Sequence, residues 1–565
     1  MKLCELRHVV NQTLEKVSKN VSCISIERFI FSAMIDEIGR KLQINVRMPQ
    51  MVGQAKSNTV FYGKGVFHSF PIAWLFGAII LVSACGSGKE PLNEAQFNQV
   101  PASSEDELAI AKGFSGEVLI RSMDSIGDTK RFGYDVSGLV YVADGSGDGT
   151  LWVNHELIKP MFTSGYYGDI ARLRKHIDIE RAAVGATALR ISRDGATWSY
   201  KRNDNLHQRL DAATEVALDS EVNGKQKARG TTANKSMLFT PWKTVLSAEA
   251  GYEQYYGDYD WATNKFTPGI FRWASFFRDD PRLYGWIVET DPVTGIAQKL
   301  TDLGRLKRNG LALELQGEQV IVYFTERDAN GYLFRYVVDR SSWPVGGTLS
   351  VADLNANRWT PIIADQPSMT QVFGDDPMAV KMNLREAARI VGGTTFDNPG
   401  GLAISPIDGK LYMATASDLE IQSYHGGVLV FANDGEDFSW DTIVEGGEET
   451  GVSCPAELQF DNTGNLWVAT AIPSQLMNSG VYEAFGNNSL FVLPKGQNKP
   501  VRIATMPTDA RIGGMSFAEN DEFLFLSVQQ PGARSKSIYD FDFTSHWPDG
   551  GNAMPKSSVV VLSRE

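Results

Sequence analysis

One pattern returns along this chain often enough to dictate its architecture: a turn glycine, then a short strand filled with aromatic and β-branched residues. Gly149-Thr-Leu-Trp-Val-Asn, Gly409-Lys-Leu-Tyr-Met-Ala-Thr-Ala and Gly464-Asn-Leu-Trp-Val-Ala-Thr-Ala are close copies. Gln319-Val-Ile-Val-Tyr-Phe-Thr and Glu522-Phe-Leu-Phe-Leu-Ser-Val are looser ones. The glycine closes a hairpin, and so unbroken an apolar run suits a strand covered on both faces. Hairpin units recurring at a period of about 50 residues mark a β-propeller, whose blades are four-stranded sheets. A β-sandwich would not repeat the pattern so far along one chain. The expected fold is therefore all-β, a six-bladed β-propeller with a few inserted short helices. Apolar spacing predicts one such helix over Met378 to Val391, ending at Gly392-Gly393, and another over Arg172 to Val184.

The N-terminal segment reads as a targeting device. Phe70 to Val82 is one apolar run preceded by Lys56 and Lys64. It is shorter than the ~20 residues of a membrane span but suits a secretory core. It ends in Val82-Ser83-Ala84-Cys85-Gly86, which resembles the bacterial lipoprotein cleavage box, where the cysteine is acylated. The expected organisation is an over-extended or non-structured N-terminus over 1–50, a lipoprotein signal peptide over 51–85, a polar tether over 86–115 and the propeller over 116–565. This predicts an exported, cell-envelope protein held to the membrane by a lipid at Cys85. Removal of the leader leaves Cys454 with no partner for a disulfide, so stability rests on the core. A net charge of −13 counts against a nucleic-acid partner.

Several chemistries are absent from the sequence. It has no G-x-S-x-G elbow, Walker-type loop, C-x-x-C pair or H-E-x-x-H motif. After the leader only His155, His176, His207, His425 and His546 remain, so a histidine-rich zinc site is not expected. Carboxylates and amides point instead to a hard cation with oxygen ligands, calcium first. Asn154-His155-Glu156 closes the apolar strand Leu151-Trp-Val, which would place three polar side chains on a propeller rim. Glu249 ends a second such strand. Either group could equally satisfy neighbouring backbone. Asp144-Gly-Ser-Gly-Asp148-Gly149 has the look of a calcium loop, but the flanking strands favour a plain hairpin turn. Ser545-His-Trp-Pro-Asp-Gly-Gly551 reads as a turn with a buried tryptophan.

The ordered series LWVNHE (151–156), TPWKTVLSAE (240–249), YGWIVETDP (284–292), GTLSVADLNANRW (347–359), LAISPIDGKLYMATAS (402–417), ELQFDNTGNLWVAT (457–470) and SHWPDGG (545–551) resembles the PhoX-type alkaline phosphatase family. The resemblance implies an exported six-bladed propeller and a phosphomonoesterase that uses calcium and iron ions. The chain departs from the family where those ions sit. Lys235 stands in place of an iron-ligating cysteine, which counts against iron. A glutamate pair becomes Glu249-Ala250, a His-Glu becomes Arg308-Asn309, and an acidic pair becomes Glu326-Arg327. Further departures are Asp397-Asn398-Pro399-Gly400, Pro455-Ala456-Glu457, Thr470-Ala471, a lost glutamate near Arg511, and Gln529-Gln530-Pro531-Gly532.

Two expectations follow. The first is a divergent PhoX-like extracytoplasmic phosphoester hydrolase dependent on calcium or other hard cations, with Asn154, Glu156 and Glu249 as metal ligands. The second is a non-catalytic cell-envelope propeller binding an anionic ligand, glycan or protein partner. In that reading Lys235, Arg308, Arg327 and Arg511 form an anion-binding pocket, since guanidinium groups grip phosphate directly.

Overall fold

The computed structural model describes residues 97–565, except 146, 169–170, 418–421, 519 and 539–541. The chain falls into two units, Met1–Gly88 and Lys89–Glu565, and only residues of the second are described. The leader, Cys85 and most of the tether thus lie outside the described residues.

Six blades surround an axis, each built on four antiparallel strands to which several blades add further short strands. Their innermost strands are Val136–Ala143, Asn234–Phe239, Arg308–Gln316, Pro399–Ile404, Pro455–Phe460 and Arg511–Ala518. Each neighbours the innermost strand of the next blade, and Arg511–Ala518 returns to Val136–Ala143, so the ring is closed. The last blade is completed by the early strand Phe114–Arg121, which pairs antiparallel with Ser558–Arg564. Joining the start of the propeller to its end removes a free sheet edge.

The repeated sentence in the sequence is the second strand of a blade in every case. Gly149–His155, Gln319–Glu326, Leu411–Thr415, Leu466–Thr470 and Phe523–Gln529 all occupy that place, and Val245–Glu249 is its counterpart in blade 2. Every residue of Leu466–Thr470 and of Phe523–Gln529 is buried, as a strand pressed between adjacent blades requires. The core is correspondingly a set of layers between blades. Leu246, Ile287, Val322 and Phe324 join blades 2 and 3, whereas Trp467, Val492, Met515 and Leu526 join blades 5 and 6. Between blades 1 and 2 the apolar layer is thin, built on Trp152, Ala186, Ala188 and Val245. Polar locks supplement it there, as described below.

All six innermost strands share a feature that the sequence pattern did not announce. Each breaks register with its partner near the same end, between Val136 and Leu139, Asn234 and Met237, Arg308 and Leu311, Pro399 and Leu402, Pro455 and Glu457, and Ile512 and Met515. A β-bulge bends a strand and re-aims the side chains beside it. Here the bulges bring six backbones together around the axis. A Cβ on Gly138 would stand 2.2 Å from the Lys235 carbonyl oxygen, and one on Gly310 would stand 2.3 Å from that of Gly400. Only glycine permits that approach.

Three sequence expectations need correction. The helix expected over Met378 to Val391 is two helices, Pro377–Met382 and Leu384–Ile390, interrupted at Asn383, whose backbone leaves helical geometry. The tether expected to reach residue 115 joins the propeller sooner: Phe97 is buried between blades 5 and 6, and Ala109–Ile110 adds a strand to blade 5. Trp547 is half-buried, its indole N–H donating to Ser558 Oγ at 2.9 Å. The helix expected over Arg172 to Val184 is present as Arg174–Ala183.

Candidate functional site

The bulges set the end of the axis at which side chains converge. At the bulges, or at the paired end of the second strand, stand Asp135, Glu156, Lys235, Arg327, Glu457, Arg511 and Gln529. Glu156 is the centre. Its Oε1 accepts from Arg327, and its Oε2 accepts from Gln529 Nε2 at 3.0 Å and lies 3.6 Å from Arg511. Gln529 Nε2 also reaches Asp135 Oδ2 at 3.0 Å, while its Oε1 accepts from Arg511 Nε at 2.9 Å. Lys235, from blade 2, donates across the axis to Glu457 of blade 5 and to the Gly513 carbonyl at 3.3 Å. Glu457 is shared with a cavity of about 430 Å³ that runs along the innermost strands past Met237, Leu313, Ile404 and Phe460.

Charge and depth are ordered in this cluster. Arg327 and Arg511 keep 27% and 24% of their side chains exposed, whereas Glu156 keeps none. Asp135 is equally buried. The guanidinium groups are thus nearer to water than Glu156 and Asp135, while Glu253, half-buried, also acts on Arg327. Burial alone would raise the carboxyl pKa of Glu156, but Arg327, Arg511 and Lys235 outweigh it and hold the group down to about 2. Asp135 goes the other way. Burial first, then the charge on Glu156, push it up to about 7, against Arg511 and the hydrogen bonds from Gln529 and the Leu157 N–H. Its Oδ2 carries those bonds, while its Oδ1 is buried without a hydrogen-bond partner among the described residues.

The residues singled out from the sequence divide into two groups. Lys235, Arg327, Arg511 and Glu156 come together at the axis. Asn154, Glu249 and Arg308 do not join them. Asn154 donates to the carbonyls of Lys235 and Ser236 at 3.2 and 3.1 Å and accepts from Ser247 at 2.9 Å. It pins blade 1 to the bulge of blade 2, a polar lock where the apolar layer is thin. Glu249 is consumed within blade 2 by Lys299 at 2.7 Å, Thr231 at 2.8 Å and the N–H groups of Gly285 and Trp286 at 2.7 and 3.1 Å. Arg308 is fully buried and donates to the carbonyls of Gly285, Leu303 and Gly304. His155 is held between the Tyr134 carbonyl, to which Nδ1 donates at 3.0 Å, and Thr187 Oγ1 at 2.7 Å. Burial drives its pKa well down, so it is a neutral structural ring. The acids of the Asp144–Asp148 loop pair with Arg190, in keeping with a hairpin turn.

Asp135 and Glu457 were not among the sequence candidates. Asp135 sits one residue before a strand, in a left-handed conformation (φ 53°) that no composition rule announces. Glu457 is legible only once blade 5 is seen to face blade 2.

A metal centre fits this donor set poorly. Among the described residues no three His, Cys, Asp or Glu side chains are grouped to hold an ion. Three carboxylates at the axis already face three fixed cations. A divalent ion seated on Glu156 about 4 Å from the Arg327 charge would be repelled by about 8 kcal/mol at an effective dielectric near 20. A ligand carboxylate would first have to surrender its guanidinium partner.

Comparison with known proteins agrees with the ring. The chain is similar in fold to the PhoX of Pseudomonas fluorescens, solved in complex with vanadate, a transition state analogue, with a TM-score of 0.74 at 21% identity over 83% of this chain and 98% of that one. A gluconolactonase of Xanthomonas campestris matches far more loosely, with a TM-score of 0.35 at 13% identity over 83% and 99% of the two chains, and bears no weight. No curated protein matches the sequence. The profile of the family described as Alkaline phosphatase PhoX matches residues 95–532. The chain is a six-bladed propeller belonging to the PhoX alkaline phosphatase family.

Proposed function

We propose that this chain is an extracytoplasmic phosphoester hydrolase that receives its substrate at the axis, on Arg327 and Arg511. The observation that carries the reading is the order of charge with depth: the guanidinium groups of Arg327 and Arg511 are partly exposed, whereas Glu156 and Asp135 beside them are fully buried. Each guanidinium has five N–H donors, and the bonds to Glu156 and Gln529 use only some of them. The remainder suit two oxygens of a phosphate, in the fork geometry that arginine offers. Charge placed in advance where a phosphoryl group gathers negative charge is the usual source of catalysis in such transfers. Asp135 is the proton donor of this reading, since it retains its proton up to about pH 7 and has one oxygen without a partner. Water attacks phosphorus, the ester P–O bond breaks, and the proton on Asp135 goes to the leaving oxygen.

Family membership supports the reaction class and implies a metal cofactor. Dependence on calcium would require Glu156 to leave Arg327, because Asn154 and Glu249 are engaged elsewhere. Export and a lipid at Cys85 complete the proposal, and rest on the apolar run and small residues before that cysteine. A second reading, a non-catalytic propeller that binds an anion, is favoured by the matching of carboxylates and cations at the axis.

The test is turnover of a phosphomonoester by purified protein, with added Ca²⁺ and with chelator, beside calorimetry with inorganic phosphate. Turnover lost in both Arg327→Gln and Arg511→Gln supports the hydrolase. Phosphate binding without turnover in any condition leaves the binding reading. Neither turnover nor binding would overturn both.

A further inference from the structure

We infer that Lys235, Arg327 and Arg511 take the place of the metal ions that the family implies, so that the axial site assembles and holds phosphate with no metal ion bound. The inference rests on the phosphate reading above and goes beyond it by specifying what supplies the positive charge.

Three observations carry it. The first is position. Lys235, Arg327 and Arg511 come from blades 2, 3 and 6, yet all three act on one buried carboxylate, Glu156. Charges drawn from separate blades onto one point do what a central ion does: they tie the blades together at the axis. Lys235 extends this by bonding Glu457 in the opposite blade and the backbone of Gly513 in blade 6.

The second is satisfaction. A set of ligands that has lost its ion leaves buried oxygens without partners, at a cost in stability. Here both oxygens of Glu156 accept hydrogen bonds, and Glu249 accepts from five donors. Of Glu156, Glu249 and Asp135 only Asp135 Oδ1 is left over, and its raised affinity for a proton gives it a way to be neutral; Glu253 Oε2, beside Arg327, is a second oxygen without a hydrogen bond among the described residues.

The third is access. Glu156, fully buried, lies against the partly exposed Arg327 and Arg511. Fixed cations at the mouth attract an anion and repel a metal ion.

The experiment uses the full chain purified without metal supplements. Elemental analysis, melting temperature in chelator and in Ca²⁺, and phosphate titration of chelator-treated protein are read together. The inference expects metal far below one ion per chain and the same melting temperature in chelator and in Ca²⁺. It also expects phosphate affinity unaffected by chelator and lowered roughly ten-fold or more by Arg511→Gln. Arg327→Lys is the second variant should Arg327→Gln fail to fold: it keeps the charge and loses the fork, so it should fold and bind phosphate with intermediate affinity. Stoichiometric iron or calcium would overturn the inference, as would a melting temperature raised by Ca²⁺ in the wild type but not in Glu156→Gln. Phosphate that binds only with added Ca²⁺ would overturn it while leaving the phosphoester reading intact. Phosphate that binds in neither condition would overturn the inference, and if turnover is absent as well, the phosphoester reading with it.

Discussion

Replacing Asp135 by asparagine should change stability little below about pH 4, stabilise this protein increasingly from there to about pH 7, and do so by a constant amount above. The folded state raises the Asp135 pKa from 3.8 to about 7, so between those values the folded chain holds a proton that the unfolded chain has released. Stability from this group is therefore complete below about pH 4 and is lost as pH climbs through 7, with the deficit constant beyond. At ~1.36 kcal/mol per unit, the full shift corresponds to a ceiling of about 4 kcal/mol. Relaxation around the Arg511–Gln529 pair reduces that, and about 1–3 kcal/mol is expected. Asparagine presents an amide where the protonated acid presents its hydroxyl, and its oxygen can keep the bond from the Leu157 N–H. At ~2.1 cal/mol/K per residue a chain of this length unfolds with about 1 kcal/mol/K, so the gain is about 1–3 °C in melting temperature at pH 8–9. Differential scanning calorimetry of both proteins from pH 4 to 9 measures it. A variant less stable than wild type at pH 8–9, or an offset independent of pH, would refute the reasoning, because it would mean that the axis needs a carboxylate charge at residue 135.

Asn154→Ala should destabilise the fold by about 2–4 kcal/mol, since it strands the Ser247 hydroxyl and two carbonyls between blades 1 and 2. Chemical unfolding measures the loss, and no metal should be needed to see it. Glu156→Gln should flatten acid unfolding between about pH 4.5 and 2, because a depressed carboxyl contributes stability above its unfolded pKa that disappears as pH falls through the folded one. Circular dichroism against pH reads this, and an unchanged acid midpoint would contradict the assigned ion pairs. Cys85→Ala should abolish labelling of the expressed protein by radioactive palmitate and release it from the membrane fraction, whereas retention of both would remove the anchor.

The fold was largely legible because its strongest signal is local. An apolar strand behind a turn glycine needs no distant partner to be recognised, and five such strands fell in the second place of five blades. The blade 2 copy was weaker because its strand Val245–Glu249 carries Ser247, which the Asn154 lock requires. The axial site was legible only in part. Lys235, Arg327 and Arg511 stood out as basic residues in unexpected places, and Glu156 as a strand-end acid, but their convergence depends on bulges that re-aim each innermost strand. Arg308 shows the other side of this. By sequence it is equivalent to the others, yet it turns away from the axis and donates to the backbone carbonyls of Leu303, Gly304 and Gly285. Asp135 was missed since its environment, and not its neighbours in sequence, makes it unusual.

The most direct measurement is a crystal structure of the wild-type protein grown in chelator and soaked with vanadate. Vanadate seated on Arg327 and Arg511, with Glu156 beneath and no ion between them, is the predicted result. Vanadate held on one or more metal ions, with Glu156 turned away from Arg327 to ligate them, would contradict it.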